Sequence, residues 1–199
     1  MAMTRIEVQP NGPRVDAAGP LPAMLIADLR TDHAGETGAV MIYRGILATT
    51  RDGAVRHFAS EHLATEAGHL AAIEPLLLQG QRSRLLPLWR IAGWLTGALP
   101  ALVGPRAVYA TIEAVETFVD HHYAEQIESI DQQDPAGTHP PLQALRALLQ
   151  TCRADEVAHR DEAAALFALA GRRPAVALRI WVGLVATGSR VAVKICRVV

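Results

Sequence analysis

Glu66-Ala67-Gly68-His69 and Glu156-Val157-Ala158-His159 are the stretches whose reading decides how this chain folds. In each, a glutamate and a histidine stand three positions apart, which places both side chains on one face of a helix and lets them address one point. A single such pair is weak, since a helical chain produces it by chance and a solvated face accounts for it. Two further glutamates change the reading. Glu36 precedes the first pair and Glu116 the second, at intervals of 30 residues (Glu36 to Glu66) and 40 residues (Glu116 to Glu156). A lone glutamate followed by a Glu-x-x-His pair thus occurs twice. This loose internal repeat predicts two helical hairpins whose packing brings six donors into one layer.

The neighbours of these residues point the same way. Glu36 shares a helical stripe with Leu29, Val40, Tyr43 and Leu47, Glu66 with Leu63, Leu70, Ile73 and Leu77, and Glu116 with Tyr109, Ile112, Val119, Tyr123 and Ile127. Such stripes face a core, and a core rarely accepts carboxylates unless they are paired or hold a metal. Four inward glutamates without a cation would repel one another and take up protons. Glu36, Glu66, His69, Glu116, Glu156 and His159 therefore read as the ligands of a carboxylate-bridged di-metal centre in an all-α, ferritin-like four-helix bundle. Four carboxylates and two imidazoles suit two iron or manganese ions with positions left open for oxygen. Glu113, one turn before Glu116, is a rival for the third position.

Composition narrows the alternatives. The 199 residues suffice for one domain with a sizeable core, half of them are hydrophobic (50%), and a net charge of −1 gives no reason to expect a nucleic-acid partner. Glycine-rich phosphate loops and Cys-x-x-Cys pairs are absent. Cys152 and Cys196 lie far apart, which fits a reducing compartment, and Cys152, one turn before Glu156, reads as a small buried residue. Lysine occurs once, at Lys194, and the bias to arginine and alanine looks like a GC-rich bacterial genome. Residues 1–22, with Glu7, Asp16 and four prolines, read as an extended or disordered arm without a secretory or organellar signal.

Residues 23–199 read as a single domain. Helices are predicted from near Pro22 to Thr50, Gly53 to Leu78, Pro105 to Asp131 and Leu142 to Leu169, with turn chemistry between Asp131 and Pro141. Two apolar segments are left over. Residues 85–103 are interrupted by Pro87, Arg90, Gly93, Gly97 and Pro100, and a last helix covers residues 175–197. Their uninterrupted apolar runs fall short of the ~20 residues needed to span a bilayer. Trp89, Trp94 and Trp181 all fall in these segments, so both are expected to lie in a membrane interface, with the tryptophans at headgroup depth.

Three stretches carry a family resemblance. Asp32-His33-Ala34-Gly35-Glu36, Glu116-Thr117-Phe118-Val119-Asp120-His121-His122-Tyr123 and Asp155-Glu156-Val157-Ala158-His159 resemble the signatures of the demethoxyubiquinone hydroxylases, the Coq7 family. The resemblance runs from about Leu29 to Lys194. It implies a di-iron monooxygenase that uses dioxygen to hydroxylate a polyprenyl-benzoquinol, demethoxyubiquinol, in ubiquinone biosynthesis, with two Fe2+ ions as cofactor. It implies Glu36 and Glu116 as terminal ligands, Glu66 and Glu156 as bridges, His69 and His159 on one iron each, and His122 and Tyr123 as catalytic residues beside the site. It also implies peripheral attachment to the cytoplasmic side of a bacterial inner membrane, and leaves room for a lipid-binding accessory protein and a homo-oligomer. Asp32, His62 and Asp155 are candidate hydrogen-bond partners for His69 and His159, and His33 reads as a packing residue. Departures from the family pattern are Thr37, Arg160 and the tail Cys196-Arg197-Val198-Val199. The competing readings are a ferritin-like iron-storage or peroxide-scavenging protein, a non-enzymatic membrane-associated bundle, and a hydroxylase of a different quinone.

Overall fold

Six α-helices account for most of the chain in a computed structural model that describes residues 23–169 and 176–198. They are α1 (Ala23–Thr49), α2 (Gly53–Ile73), α3 (Leu86–Val103), α4 (Pro105–Gln133), α5 (Pro140–Leu169) and α6 (Val176–Cys196). Among the described residues there is no strand. The expected arm at residues 1–22 and the start of the last helix at Ala175 lie outside the described residues.

Local chemistry explains the boundaries. The Asp52 side chain caps α2 by accepting from the Ala54 and Val55 amides. That helix ends at Ile73 and not at Leu78, because Pro75 has no N–H to continue the ladder and its ring crowds the preceding turn. Two short 3-10 turns, Glu74–Leu76 and Gln79–Gln81, follow instead. The fourth connection is shorter than expected: the Asp134 carboxylate accepts from the Thr138 and His139 amides and the Gln143 side chain, which lets α5 start at Pro140.

The α1–α2 and α4–α5 hairpins form the bundle, and their core is split. One apolar cluster joins Leu25 and Leu29 of α1, Ile73 at the end of α2, Tyr123, Ile127 and Ile130 of α4, and Leu142, Leu145 and Leu149 of α5. The other joins Ile42, Tyr43 and Ile46 of α1, Val55 and Phe58 of α2, Val108, Tyr109 and Ile112 of α4, and Ala163 of α5. Each helix runs from one cluster to the other, and the six predicted donors fall between them on all four. Apolar contacts thus close the donor layer at both ends.

The predicted interruptions of the third segment do not break it. Pro87 sits in the first turn of α3, where no N–H is missed, and Pro100 lies in the last. The glycines are contact points. A Cβ on Gly97 would lie 1.9 Å from the Ile42 carbonyl oxygen, one on Gly93 2.4 Å from that of Gly38, and one on Gly45 2.2 Å from that of Trp94. The backbones of α1 and α3 therefore touch, and α3 cannot move independently of the helix that carries Glu36. Gly104 then turns the chain into α4 at φ +133°, a conformation closed to residues with a side chain.

The outer faces of α3 and α6 are apolar and exposed, through Leu88, Ile91, Leu95 and Leu102 on α3 and Ile180, Val191 and Ile195 on α6. By length and composition alone both helices are long enough to cross a membrane. The tryptophans depart from expectation. Trp94 is exposed, but Trp89 and Trp181 are only partly so, and Trp181 Nε1 donates to Thr111 Oγ1 at 2.8 Å, which turns its polar end inward.

Gly97→Ala is expected to destabilise the fold by about 1–3 kcal/mol through overpacking. Gly68→Ala, at an exposed helical position where a Cβ meets nothing within 4 Å, is expected to stabilise it by up to about 1 kcal/mol. Chemical denaturation of both variants checks the pair, and equal effects would mean that the glycine seam is not a tight contact.

Candidate metal centre

The two hairpins bring Glu36 (α1), Glu66 and His69 (α2), Glu116 (α4), and Glu156 and His159 (α5) into one layer, and all six are buried. Their donor atoms fall into two groups, Glu36, Glu66, His69 and Glu156, and Glu66, Glu116, Glu156 and His159, with the atoms of each group within 4.8 Å of one another. Glu66 and Glu156 belong to both. The repeat shows in the geometry: His69 Nδ1 lies 3.1 Å from Glu156 Oε1, and His159 Nδ1 lies 3.1 Å from Glu66 Oε1. Each histidine thus faces the carboxylate of the opposite hairpin that both groups share. Glu113 is only partly buried and belongs to neither group.

The layer is underfilled with hydrogen bonds. Glu36 Oε2, Glu66 Oε1, both carboxylate oxygens of Glu156, His69 Nδ1 and His159 Nδ1 are buried without a properly directed partner. Buried polar atoms are costly unless something pairs with them, and donors of this kind, clustered this closely, fit a pair of divalent cations. Electrostatics gives the same answer. Burial, then the charge of Glu156, pushes the Glu66 and Glu116 carboxyls well above the ordinary glutamate value. Burial would also raise Glu156, but the imidazoles of His159 and His69 beside it pull it down to about 2. For His69 burial works downward and is outweighed by Glu156 and Glu36, which raise the imidazole to about 12. Without cations, protons hold the layer together.

Around the layer the supports are defined. His69 Nε2 lies 3.0 Å from Asp155 Oδ2, so one of the three candidate partners orients a predicted ligand histidine. His62 does so by stacking: its ring lies on that of His159 at 3.9 Å, and it hydrogen-bonds Tyr43 and Glu162. Asp32 touches neither histidine; its contacts are Gln126 and His122. The Tyr43 hydroxyl donates to Glu116 Oε1 at 2.9 Å, and the Tyr123 hydroxyl donates to Glu36. His122 Nε2 lies 2.9 Å from Thr31 Oγ1 and 3.2 Å from Asp32 Oδ1. Arg160 joins Arg153 on Asp120 and ties α5 to α4. Cys152 is buried in the first apolar cluster, and burial, with the charges of Glu36 and Glu156, pushes its thiol up, so it stays a protonated filler. His33 is buried, 3.7 Å from Glu74.

Beside the layer lies a cavity of about 380 Å³. Glu36, Glu66, Glu116 and Glu156 form its inner wall, α1, α3 and α4 its sides, and α6 its cover, through Trp181, Leu184, Val185 and Ala192. Sequence reasoning identified the donors but not this cover. The amphipathic pattern of α6 marks a helix with two unlike faces without saying what lies under it.

Comparison with known proteins places these features in a family. Residues 23–196 match the family described as ubiquinone biosynthesis protein COQ7. The chain is similar to the 3-demethoxyubiquinol 3-hydroxylase of Rhodospirillum rubrum, 37% identical over 183 residues that cover 87% of this chain and 78% of that protein. It is also similar to the human NADPH-dependent 3-demethoxyubiquinone 3-hydroxylase, mitochondrial, 33% identical over 135 residues, 67% of this chain and 60% of that one. A third relative, the 3-demethoxyubiquinol 3-hydroxylase of Laribacter hongkongensis, is 33% identical over 148 residues, 73% of this chain and 68% of that protein. The match thus spans less than two thirds of the human relative's length. With the match extending over all six helices, the chain belongs to the COQ7 family.

Proposed function

We propose that this protein is a di-iron monooxygenase that hydroxylates demethoxyubiquinol with dioxygen in ubiquinone biosynthesis. The observation that carries the reading is the junction of the six-donor layer with an apolar cavity of about 380 Å³, large enough for a small aromatic head group. An iron-storage or peroxide-scavenging bundle has no use for such a cavity. Glu66 and Glu156 would be shared between two iron ions, Glu36 and His69 would hold one, and Glu116 and His159 the other. Bound iron would supply the dioxygen chemistry. The chain's own part is to orient and to exclude water. Asp155 fixes the His69 ring, Tyr43 and Tyr123 hold the outer carboxylates, and the two apolar clusters keep the layer dry. Tyr123, which donates to Glu36, and His122, beside Asp32, both line the cavity next to the layer, which supports a role in moving protons or electrons.

The membrane reading is part of the proposal. Exposed apolar side chains on α3 and α6, with Arg90, Arg179, Arg190 and Lys194 exposed among them, support peripheral attachment with these helices in the interface. An isoprenoid tail would then leave the cavity beneath α6 directly into lipid. On the cytoplasmic side of a bacterial inner membrane this arrangement would also accommodate a lipid-binding accessory protein or a second copy of the chain.

Three outcomes test the proposal. Anaerobic reconstitution with ferrous iron should load about two ions per chain, and Glu66→Ala should weaken loading at least about tenfold because it removes a shared donor. Trace iron in the wild type would refute the metal reading. Second, the raised carboxyls of Glu66 and Glu116 contribute stability below the ordinary glutamate value of 4.5 that is lost as pH rises through their raised values. The depressed Glu156 contributes stability that is present above 4.5 and is lost as pH falls from there through about 2. The Tm of metal-free protein should therefore fall as pH rises above the ordinary glutamate value of 4.5, and bound metal, which favours the ionised carboxylates, should remove that fall; parallel pH profiles would contradict it. Third, the double variant Ile91→Asp, Ile180→Asp should lose flotation with anionic liposomes and keep its iron. Unchanged flotation would make α3 and α6 packing elements only.

A further inference from the structure

A second cavity, of about 470 Å³, lies on another face of α1 and takes no part in the metal layer. Its floor is the α1 stripe of His33, Thr37 and Val40, all buried. Its rim carries three arginines: Arg44 of α1, Arg82 of the connection after α2, and Arg90 of α3. One carboxylate, Glu74, stands among them. The volume is that of a small-molecule site. Thr37 is one of the positions at which the chain departs from the family pattern, and a larger side chain there would fill the groove from below.

The charges in this groove do not balance. Arg82 Nη1 donates to Glu74 Oε1 at 2.5 Å, which occupies the one acid. Arg44 and Arg90 are exposed, and neither meets a carboxylate among the described residues; the contact of Arg44 is Met41 Sδ at 3.9 Å. The floor offsets nothing. Thr37 Oγ1 donates to the His33 carbonyl, and burial, with Arg82 and Arg90 nearby, holds the His33 imidazole below its ordinary value and therefore neutral. Two cations left at the mouth of one groove attract an anion, and a guanidinium matches phosphate oxygens two at a time. The apolar surface begins beside them. Arg90 stands one residue before Ile91 and one turn before Trp94, both exposed, so it marks the edge of the apolar outer face of α3. Trp89, Ala92 and Thr96, which line the larger cavity, lie across that face.

We propose that this groove binds the head group of an anionic phospholipid, with Arg44 and Arg90 on its phosphate and its acyl chains laid along Ile91, Trp94 and Leu95 of α3. This rests on the peripheral-membrane part of the reading above and adds a discrete lipid site to it. A lipid answers both features at once, the unbalanced cations and the apolar face that starts one residue away. A soluble phosphate ester answers only the first, and a zwitterionic head group brings a cation of its own against the arginines. The consequence is orientation. α3 is seated backbone to backbone on α1, so a lipid held at Arg44 and Arg90 fixes how the pair of helices sits on the membrane, and with it the height of the larger cavity relative to the head groups.

The test is calorimetric titration of the whole chain in a neutral detergent at about 0.15 M salt, where attraction between exposed charges is screened beyond ~8 Å. The probes are dihexanoyl phosphatidylglycerol, the phosphatidylcholine with the same chains, and inorganic phosphate. Wild-type protein should show a single saturable site for phosphatidylglycerol, at least about tenfold tighter than for the other two. The double variant Arg44→Gln, Arg90→Gln should lose at least about tenfold of that affinity, since each cation near an anionic head group contributes about fivefold. The double variant Arg179→Gln, Arg190→Gln, which removes the same charge from α6, should keep it. Equal losses in the two double variants overturn the proposal, because the attraction is then diffuse. Phosphate bound as tightly as the lipid overturns it too, and assigns the groove to soluble phosphate esters. Wild-type protein that floats with anionic liposomes but shows no saturable site leaves the membrane reading standing and removes only the groove. Protein that neither floats nor binds the lipid removes both.

Discussion

Four carboxylates buried in one layer are the constraint on which the rest of this structure depends. Two like charges about 4 Å apart repel by on the order of 4 kcal/mol even at an effective dielectric constant of 20. Ionised, the four glutamates make five such close pairs, and their sum would exceed the roughly 5–15 kcal/mol by which a domain is stable. The fold therefore has to bring compensating charge to the layer. Two histidines do part of this, each set against the shared carboxylate of the other hairpin, and protons or cations must supply the remainder. Splitting the hydrophobic core into two clusters follows from the same constraint. Apolar contacts cannot run through the layer, so they close it from both sides and hold the four helices at the separation that the donors need.

That requirement makes α1 the most heavily used helix. One side carries Glu36 to the layer, and another meets α3 backbone to backbone at Gly38, Ile42 and Gly45. Asp28, Thr31, Asp32 and His33 are buried in addition. A helix covered on so many sides cannot show a clean apolar stripe, and polar residues take part of the buried surface only because each has a partner or faces a cavity. Arg197 provides one such partner, reaching Asp28 Oδ1 at 2.6 Å and tying the end of α6 to the start of α1.

What was legible in the sequence was what local geometry writes there. The i,i+3 spacing of the two Glu-x-x-His pairs, the stripes around Glu36 and Glu116, and the caps and prolines near helix ends act within a turn or two. They gave the hairpins, most helix limits and the convergence of six donors. Pro75 was equally local evidence, and reading α2 on to Leu78 passed over it. The two prolines and two glycines of α3 misled for a different reason: their effect depends on whether they fall in a terminal turn or against a neighbouring backbone, which the sequence does not state. The environments of Trp181, Asp32 and Gln126 are set by residues about 70 to 95 positions away, and no periodicity records such contacts.

The cover of the cavity draws these points together. α6 is fixed near one end by the Trp181–Thr111 hydrogen bond and at the other by the Arg197–Asp28 ion pair, and between them most of its residues are exposed. Its inner side is cavity wall, and its outer side is apolar with cations among the apolar residues. A helix of this kind, resting on water, would expose more apolar surface than a soluble monomer ordinarily tolerates. Resting on lipid, the same helix becomes the partition between the membrane and the donor layer. On the proposed reading, a substrate with a reactive ring and a long apolar tail would then not have to cross water: the tail would stay in the bilayer while the ring passed beneath α6. On that reading the donor layer, the cavity and the outer surface would impose one common requirement on the reactant, that a small polar ring and a large apolar tail belong to the same molecule.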